Sequence, residues 1–129
     1  MEKPSRMKER RKSARRGLCL PLEYRSTDAP YAHGGLVINA SESGLLVQSV
    51  KSIPVGAKLS IAVLFPKDFE LTNFKVLAEI IWKDLHWEED WEGYQYGLKF
   101  LRIQDADYGK LKQLLFSSIE IEEFGRNYR

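Results

Sequence analysis

From residue 18 to residue 103 the chain reads as five or six strand-like runs, and Gly, Pro, Asn and Asp cluster in the breaks between them. LCLPLEYR, starting at residue 18, puts Leu18, Leu20, Leu22 and Tyr24 on one face. GGLVIN and GLLVQSV flank a short polar insert at 39–44, the pattern of a hairpin or tight corner. LSIAVLFP ends at Pro66. FKVLAEIIWK sets Phe74, Val76, Ala78, Ile80 and Trp82 against Lys75, Glu79 and Lys83, with Leu77 and Ile81 breaking the strict alternation. GYQYGLKFLRI closes the series. Short strands at this spacing favour an antiparallel barrel or sandwich over any strand–helix–strand arrangement. Only the last segment has a helical period: Asp105 can cap it, and Leu111, Leu114, Leu115 and Ile119 then form a stripe. The expectation is a small, mainly β, antiparallel barrel over 17–104, a helix packed on it over 105–124 and a tail at 125–129.

Charge separates the remaining segment, 1–16, from this body. It carries eight Lys and Arg against two Glu, a net +6, whereas the other residues sum to −4. A basic arm on a mildly acidic domain is the pattern of a terminal segment that meets an anion. With 43% hydrophobic and 12% aromatic residues, the 129-residue chain is composed as one globular domain. Cys19 is the single cysteine, which excludes a disulfide-stapled secreted fold. The longest apolar runs, such as IAVLF at 61–65, are too short to span a bilayer, and Pro21 and Glu23 break any signal-peptide core after RRG. A cytoplasmic protein is expected.

Catalytic signatures are missing. His33 and His86 read as loop residues without a Cys partner or metal-ligand spacing, so no metal is expected. There is no nucleophile elbow, phosphate loop or dinucleotide fingerprint, and Gly34-Gly35 opens a strand rather than a helix. KDLHWEEDWEG at 83–93 gathers Asp84, Glu88, Glu89, Asp90 and Glu92 around Trp87 and Trp91 without the ligand order of a calcium loop. It reads as a solvated loop or a contact for a protein partner. A non-enzyme is the expectation.

Two polar stretches remain, RRKSARR at 10–16 and NASESG at 39–44. By local physics the second is a good turn: Asn and Ser bond to nearby backbone and Gly44 supplies a positive φ. The same turn can present the Asn39 amide and an outward Ser41 hydroxyl on the face of a barrel. Arg11 and Arg15 have i, i+4 spacing, and so do Arg6–Arg10 and Lys12–Arg16.

Taken together, Arg11-Lys-Ser-Ala-Arg15 and Asn39-Ala-Ser41-Glu-Ser-Gly44 resemble the paired RxxxR and (D/N)xSxxG signature of PilZ domains. LPLEY at 20–24, PVG at 54–56, the AEIIW stretch ending at Trp82 and YGLKF at 96–100 are similar to the family's later landmarks, in order, over roughly residues 10–116. The distance from Arg15 to LPLEY favours Arg11 and Arg15 as the motif pair.

The resemblance implies a six-stranded β-barrel that binds the bacterial second messenger cyclic di-GMP, with no cofactor and no catalysis. Arg can fork onto a phosphate or onto guanine O6 and N7, and its plane stacks on a purine. The implied ligand-binding residues are Arg10, Arg11, Arg15, Arg16, Asn39, Ser41 and Gly44: Arg11 and Arg15 embracing the anion, Arg10 and Arg16 assisting, Asn39 and Ser41 meeting guanine or phosphate, and Gly44 letting backbone come close. Closure of the arm over the barrel would relay the signal to a protein effector, with the protein a monomer or a ligand-linked dimer. The alternative is a PilZ-fold interaction adaptor that binds no nucleotide and works through its acidic, Trp-rich segment. A barrel for single-stranded nucleic acid would need basic and aromatic residues interleaved along its strand faces; the body is net acidic and its basic charge is concentrated in the arm, so a nucleic-acid polymer is not the expected partner.

Overall fold

Alternation sorts the strand residues into an inside and an outside. The computed structural model describes residues 16–88 and 91–127. Six strands run in chain order: β1 Arg16–Ser26, β2 His33–Ala40, β3 Gly44–Ser49, β4 Lys58–Lys67, β5 Glu70–Glu88 and β6 Trp91–Arg102. The helix α1, Asp105–Asn127, follows. All strand pairs are antiparallel, and β1 closes onto β4 to make a barrel of order β1-β2-β3-β6-β5-β4. Closure leaves no free edge along the barrel wall.

Every second residue fills the interior. Leu22 and Tyr24 come from β1, Leu45 and Val47 from β3, Leu59, Ile61, Val63 and Phe65 from β4, and Phe74, Val76, Ala78 and Ile80 from β5. Burial of these side chains stabilises the barrel by about 1.5–3 kcal/mol for each large one. Leu20 is half-buried against the same cluster, and the Leu18 side chain lies outside the described residues. Trp82 departs from the expected inward row. The ladder shifts between Ile80 and Trp82, which puts Trp82 opposite Gly97, and its indole covers the place where a Gly97 Cβ would stand. The shift also leaves Ile81 exposed, so the break in alternation is a β-bulge.

The helix begins at Asp105, and the Gln104 carbonyl already accepts from the Tyr108 amide at 2.8 Å. Asp105 is therefore the first helical residue rather than the residue before it, still well placed for a carboxylate facing the positive helix end. Leu111 and Leu114 are buried in the barrel cluster and Leu115 packs against it; the Ile119 side chain lies outside the described residues. The helix continues to Asn127, past the expected end at 124. Polar links tie it to β4 and β5: Asp107 accepts from the Lys75 amide at 2.9 Å, Lys67 donates to Gln113 at 2.8 Å and Lys110 donates to the Asn73 carbonyl at 3.1 Å.

Two expected loops are strand. His33 opens β2, facing Tyr24 with ring centroids 5.6 Å apart, and His86 lies in β5 opposite Gly93. The acidic, Trp-bearing stretch is likewise the end of a β-hairpin, with Asp84 opposite Gln95 and Glu88 opposite Trp91. Strand pairing overrides the polar composition there, because aromatic residues stand between the acids and each strand has the other as its partner.

Candidate ligand-binding site

The β2–β3 corner sits at the barrel end where β1 begins. Its closing bond runs from the Ser41 amide to the Gly44 carbonyl at 3.0 Å, and the Phe100 amide donates to the Ser43 carbonyl at 3.0 Å, so the corner is sewn to β6. Strand β2 runs one residue beyond Asn39, to Ala40. Asn39 is half-buried, opposite Gly17 on one side and Leu46 on the other.

Ser41 differs from expectation. Only 1% of it is exposed, and its hydroxyl accepts from the Ser43 amide at 3.3 Å and meets the Ser43 hydroxyl at the same distance. Instead of turning outward, this serine braces the corner from within, and a buried hydroxyl needs such partners. Gly44 differs as well. Among the described residues the glycine with a positive φ is Gly56, at 94° within the Pro54–Ala57 turn. Gly44 is required for another reason, because a Cβ on it would run into the Leu98 carbonyl oxygen of β6. The two strands approach so closely that only glycine fits.

The first residues of β1 lie beside this corner: Arg16 pairs with Ala40 and Gly17 with Asn39. Arg10, Arg11 and Arg15 lie outside the described residues, as does the Arg16 side chain. The arm therefore enters the fold next to Asn39, whatever course it takes before residue 16.

Two residues at this corner carry no signal in the motifs. The Tyr108 phenol on α1 donates to Glu42 Oε1 at 3.1 Å, and the Lys112 ammonium stands 5.4 Å from the Tyr108 ring centre. The bond to Glu42, reinforced by partial burial and the nearby negative charge, holds the phenol above its ordinary pKa of 10.0. The helix is thereby fastened to the corner across a gap of 66 residues, which no local pattern records. Among the described residues no three His, Cys, Asp or Glu side chains gather as a metal site would need. No helix among them is long and apolar enough to cross a membrane.

A closed six-stranded barrel, a glycine-tight corner and a chain entry beside it define a small β-barrel module. The model of the PilZ domain matches residues 9–117, and the chain belongs to that family. Solved structures agree on the fold. The cyclic di-GMP-bound PilZ domain of YcgR from Escherichia coli aligns with a TM-score of 0.71 at 14% identity, over 92% of this chain and 98% of that one. The inhibitor of motility MotI/DgrA of Bacillus subtilis gives 0.65 at 19% identity over 81% of this chain, which spans about half (48%) of that protein. The PilZ domain of CeSA from a cellulose-synthesizing bacterium gives 0.55 at 16% identity, over 81% and 97% of the two chains. A search of curated proteins returned no match. The family is one of cyclic di-GMP receptors and adaptors rather than enzymes.

Proposed function

We propose that this protein binds cyclic di-GMP between its basic arm and the NASESG corner and passes the event to a protein effector through closure of the arm. What supports the reading is a single juxtaposition: the chain carrying Arg11 and Arg15 enters β1 opposite Asn39, in a family of cyclic di-GMP receptors. Arg11 and Arg15 supply guanidinium forks for the two phosphates and for guanine O6 and N7. Arg10 and Arg16 add charge and a stacking plane. The Asn39 amide offers both a donor and an acceptor to a guanine edge. Ser41 and Gly44 act by holding the corner in shape, Ser41 through its bonds to Ser43 and Gly44 through its fit against Leu98. The ligand is the only small molecule this reading calls for, and the protein works in the cytoplasm as a monomer or a ligand-linked dimer.

Calorimetric titration with cyclic di-GMP tests it. Arg15→Ala lowers affinity by roughly ten- to a hundredfold, the value of one or two charge-assisted hydrogen bonds. Asn39→Ala and Ser41→Ala weaken binding by a smaller factor. Arg25→Ala, which removes an exposed cation on the β1 strand away from the corner, leaves it unchanged. Saturable binding that is indifferent to Arg15 would refute the proposed clamp. No binding at all would leave the adaptor reading, in which the acidic hairpin end meets a protein without nucleotide.

A further inference from the structure

The β5–β6 hairpin extends beyond the wall of the barrel. Pairing of β5 with β4 stops at Glu79. The backbone bonds on that side stop one residue later, where the Ile80 amide donates to the Ala57 carbonyl at 3.0 Å and its carbonyl accepts from Gly56 at 2.8 Å. From Ile81 to Glu88 the only strand beside β5 among the described residues is β6, so the other side of β5 is an open sheet edge. The far edge of the hairpin is shorter, since β6 pairs with β3 from Tyr94 onward and is open only from Trp91 to Gly93. An open edge offers backbone donors and acceptors to any extended segment. Proline commonly blunts such edges, and Pro66 stands on the β4 edge beyond Val63, where pairing with β1 ends. No proline stands between residues 81 and 88.

Side chains along the edge select the occupant. Residues opposite each other in the ladder share a face, so Lys83 and Leu85 stand with Tyr96 and Tyr94, and Trp82 and Asp84 with Gly97 and Gln95. Leu85 and Ile81 are half exposed, and so is Val55, next to the Gly56 that bonds Ile80. The charge is negative. Asp84 and Glu92 are exposed, and Glu88 adds a third carboxylate to the hairpin. Lys83, the only Lys or Arg between residues 80 and 98, is turned back onto the barrel. Its ammonium donates to the Ser52 hydroxyl at 2.8 Å and stands 4.8 Å from the Tyr94 ring centre. We propose that the β5 edge from Ile81 to Glu88 docks an extended, basic segment of a protein partner, added to the sheet as one more strand. Backbone bonds to β5 hold it, cations at alternate positions meet Asp84, and the apolar residues between them lie beside Leu85. A second copy of the chain fits poorly, because it would set Asp84, Glu88 and Glu92 against their own counterparts. The same charges repel a nucleic acid. The inference rests on the reading that this protein meets a protein effector, and draws on neither the nucleotide nor the arm.

A synthetic peptide of alternating Lys and Val, about ten residues long, tests it on the full chain without nucleotide. At saturation it slows hydrogen exchange of the 81–88 amides about fivefold or more and leaves β2 and β3 unchanged. The same peptide N-methylated at alternate residues keeps its charge but loses the donors of one edge, and binds about tenfold more weakly. A Glu–Val peptide of equal length does not bind. Asp84→Lys combined with Glu92→Lys exchanges the preference: the Lys–Val peptide weakens about tenfold and the Glu–Val peptide now protects the edge, which also shows that the hairpin is folded. Equal binding of the N-methylated peptide overturns strand addition and leaves plain charge attraction. Absence of protection at 81–88, or protection that appears elsewhere, overturns the site. Protection that grows with protein concentration in the absence of peptide overturns it too, assigning the edge to a second copy. With nucleotide absent throughout, failure here is distinct from failure of the cyclic di-GMP titration, and leaves an effector free to meet another surface.

Discussion

The two ends of the barrel are held together by different means. At the end from which the β5–β6 hairpin extends, buried phenols tie distant strands. Tyr24 and Ser49 share a hydrogen bond of 2.8 Å between β1 and β3. The Tyr96 phenol donates to the Lys51 carbonyl at 2.5 Å and accepts from the Ile53 amide at 2.9 Å, which fixes the β3–β4 connection. At the corner end the fixed points are backbone: the Ser41–Gly44 and Phe100–Ser43 bonds, and the close approach of Gly44 to Leu98. The side-chain tie from the helix is the exposed Tyr108–Glu42 bond. The corner is thus shaped by what it omits, a Cβ. The opposite end is locked by polar side chains inside the core.

The largest effect that separates the two ends belongs to Gly44→Ala. Its methyl meets a backbone oxygen that cannot turn away, so the strands must part at a cost of about 3 kcal/mol, measured by denaturant unfolding. An unchanged midpoint would mean that the corner yields easily. Tyr96→Phe comes next, at about 2 kcal/mol, because two backbone groups lose their partner. Tyr24→Phe removes one bond and costs about 1 kcal/mol.

These tyrosines also set an alkaline limit. Burial, opposed in part by their hydrogen bonds, raises both above the ordinary 10.0. A raised value in the fold means that the neutral phenol is favoured there. Their contribution is full below pH 10 and drains away as pH climbs through the folded-state values. Thermal unfolding from pH 8 to pH 11 should show the midpoint falling at the upper end, less steeply in Tyr24→Phe; identical slopes would contradict the assignment to Tyr24.

Smaller still is Phe69→Gly in the β4–β5 turn. Asp68 and Phe69 occupy left-handed backbone at φ of 52° and 67°, and Phe69 is fully exposed, so nothing compensates the strain. Glycine there stabilises by about 0.5 kcal/mol, and a lower midpoint would indicate that the ring is used. Tyr108→Phe is the mildest: overall stability stays put, while amide exchange in the first turn of α1 rises.

Much of this was legible in the residues. The alternation of Phe74, Val76, Ala78 and Ile80 has one solution, a strand with its apolar side inward, and the leucine stripe beginning at Leu111 has another. The acidic stretch at 84–92 misled because polar composition suggests a loop, whereas strand pairing is decided by a partner strand. Ser41 misled for a related reason, since a turn serine faces solvent unless the chain folds over it.

The sequence by itself determined the antiparallel barrel, the closing helix, the separation of basic arm from acidic body and the family to which the motifs point. These follow from patterns that a local stretch carries whole: period, charge and turn chemistry. Only the tertiary structure decided that Gly44 is needed for its closeness to Leu98, that Ser41 lies buried, that Trp82 covers Gly97 and that Tyr108 grips Glu42. Each of those depends on residues brought together from far along the chain, and a spacing read along one strand holds no information about what the neighbouring strand places opposite it.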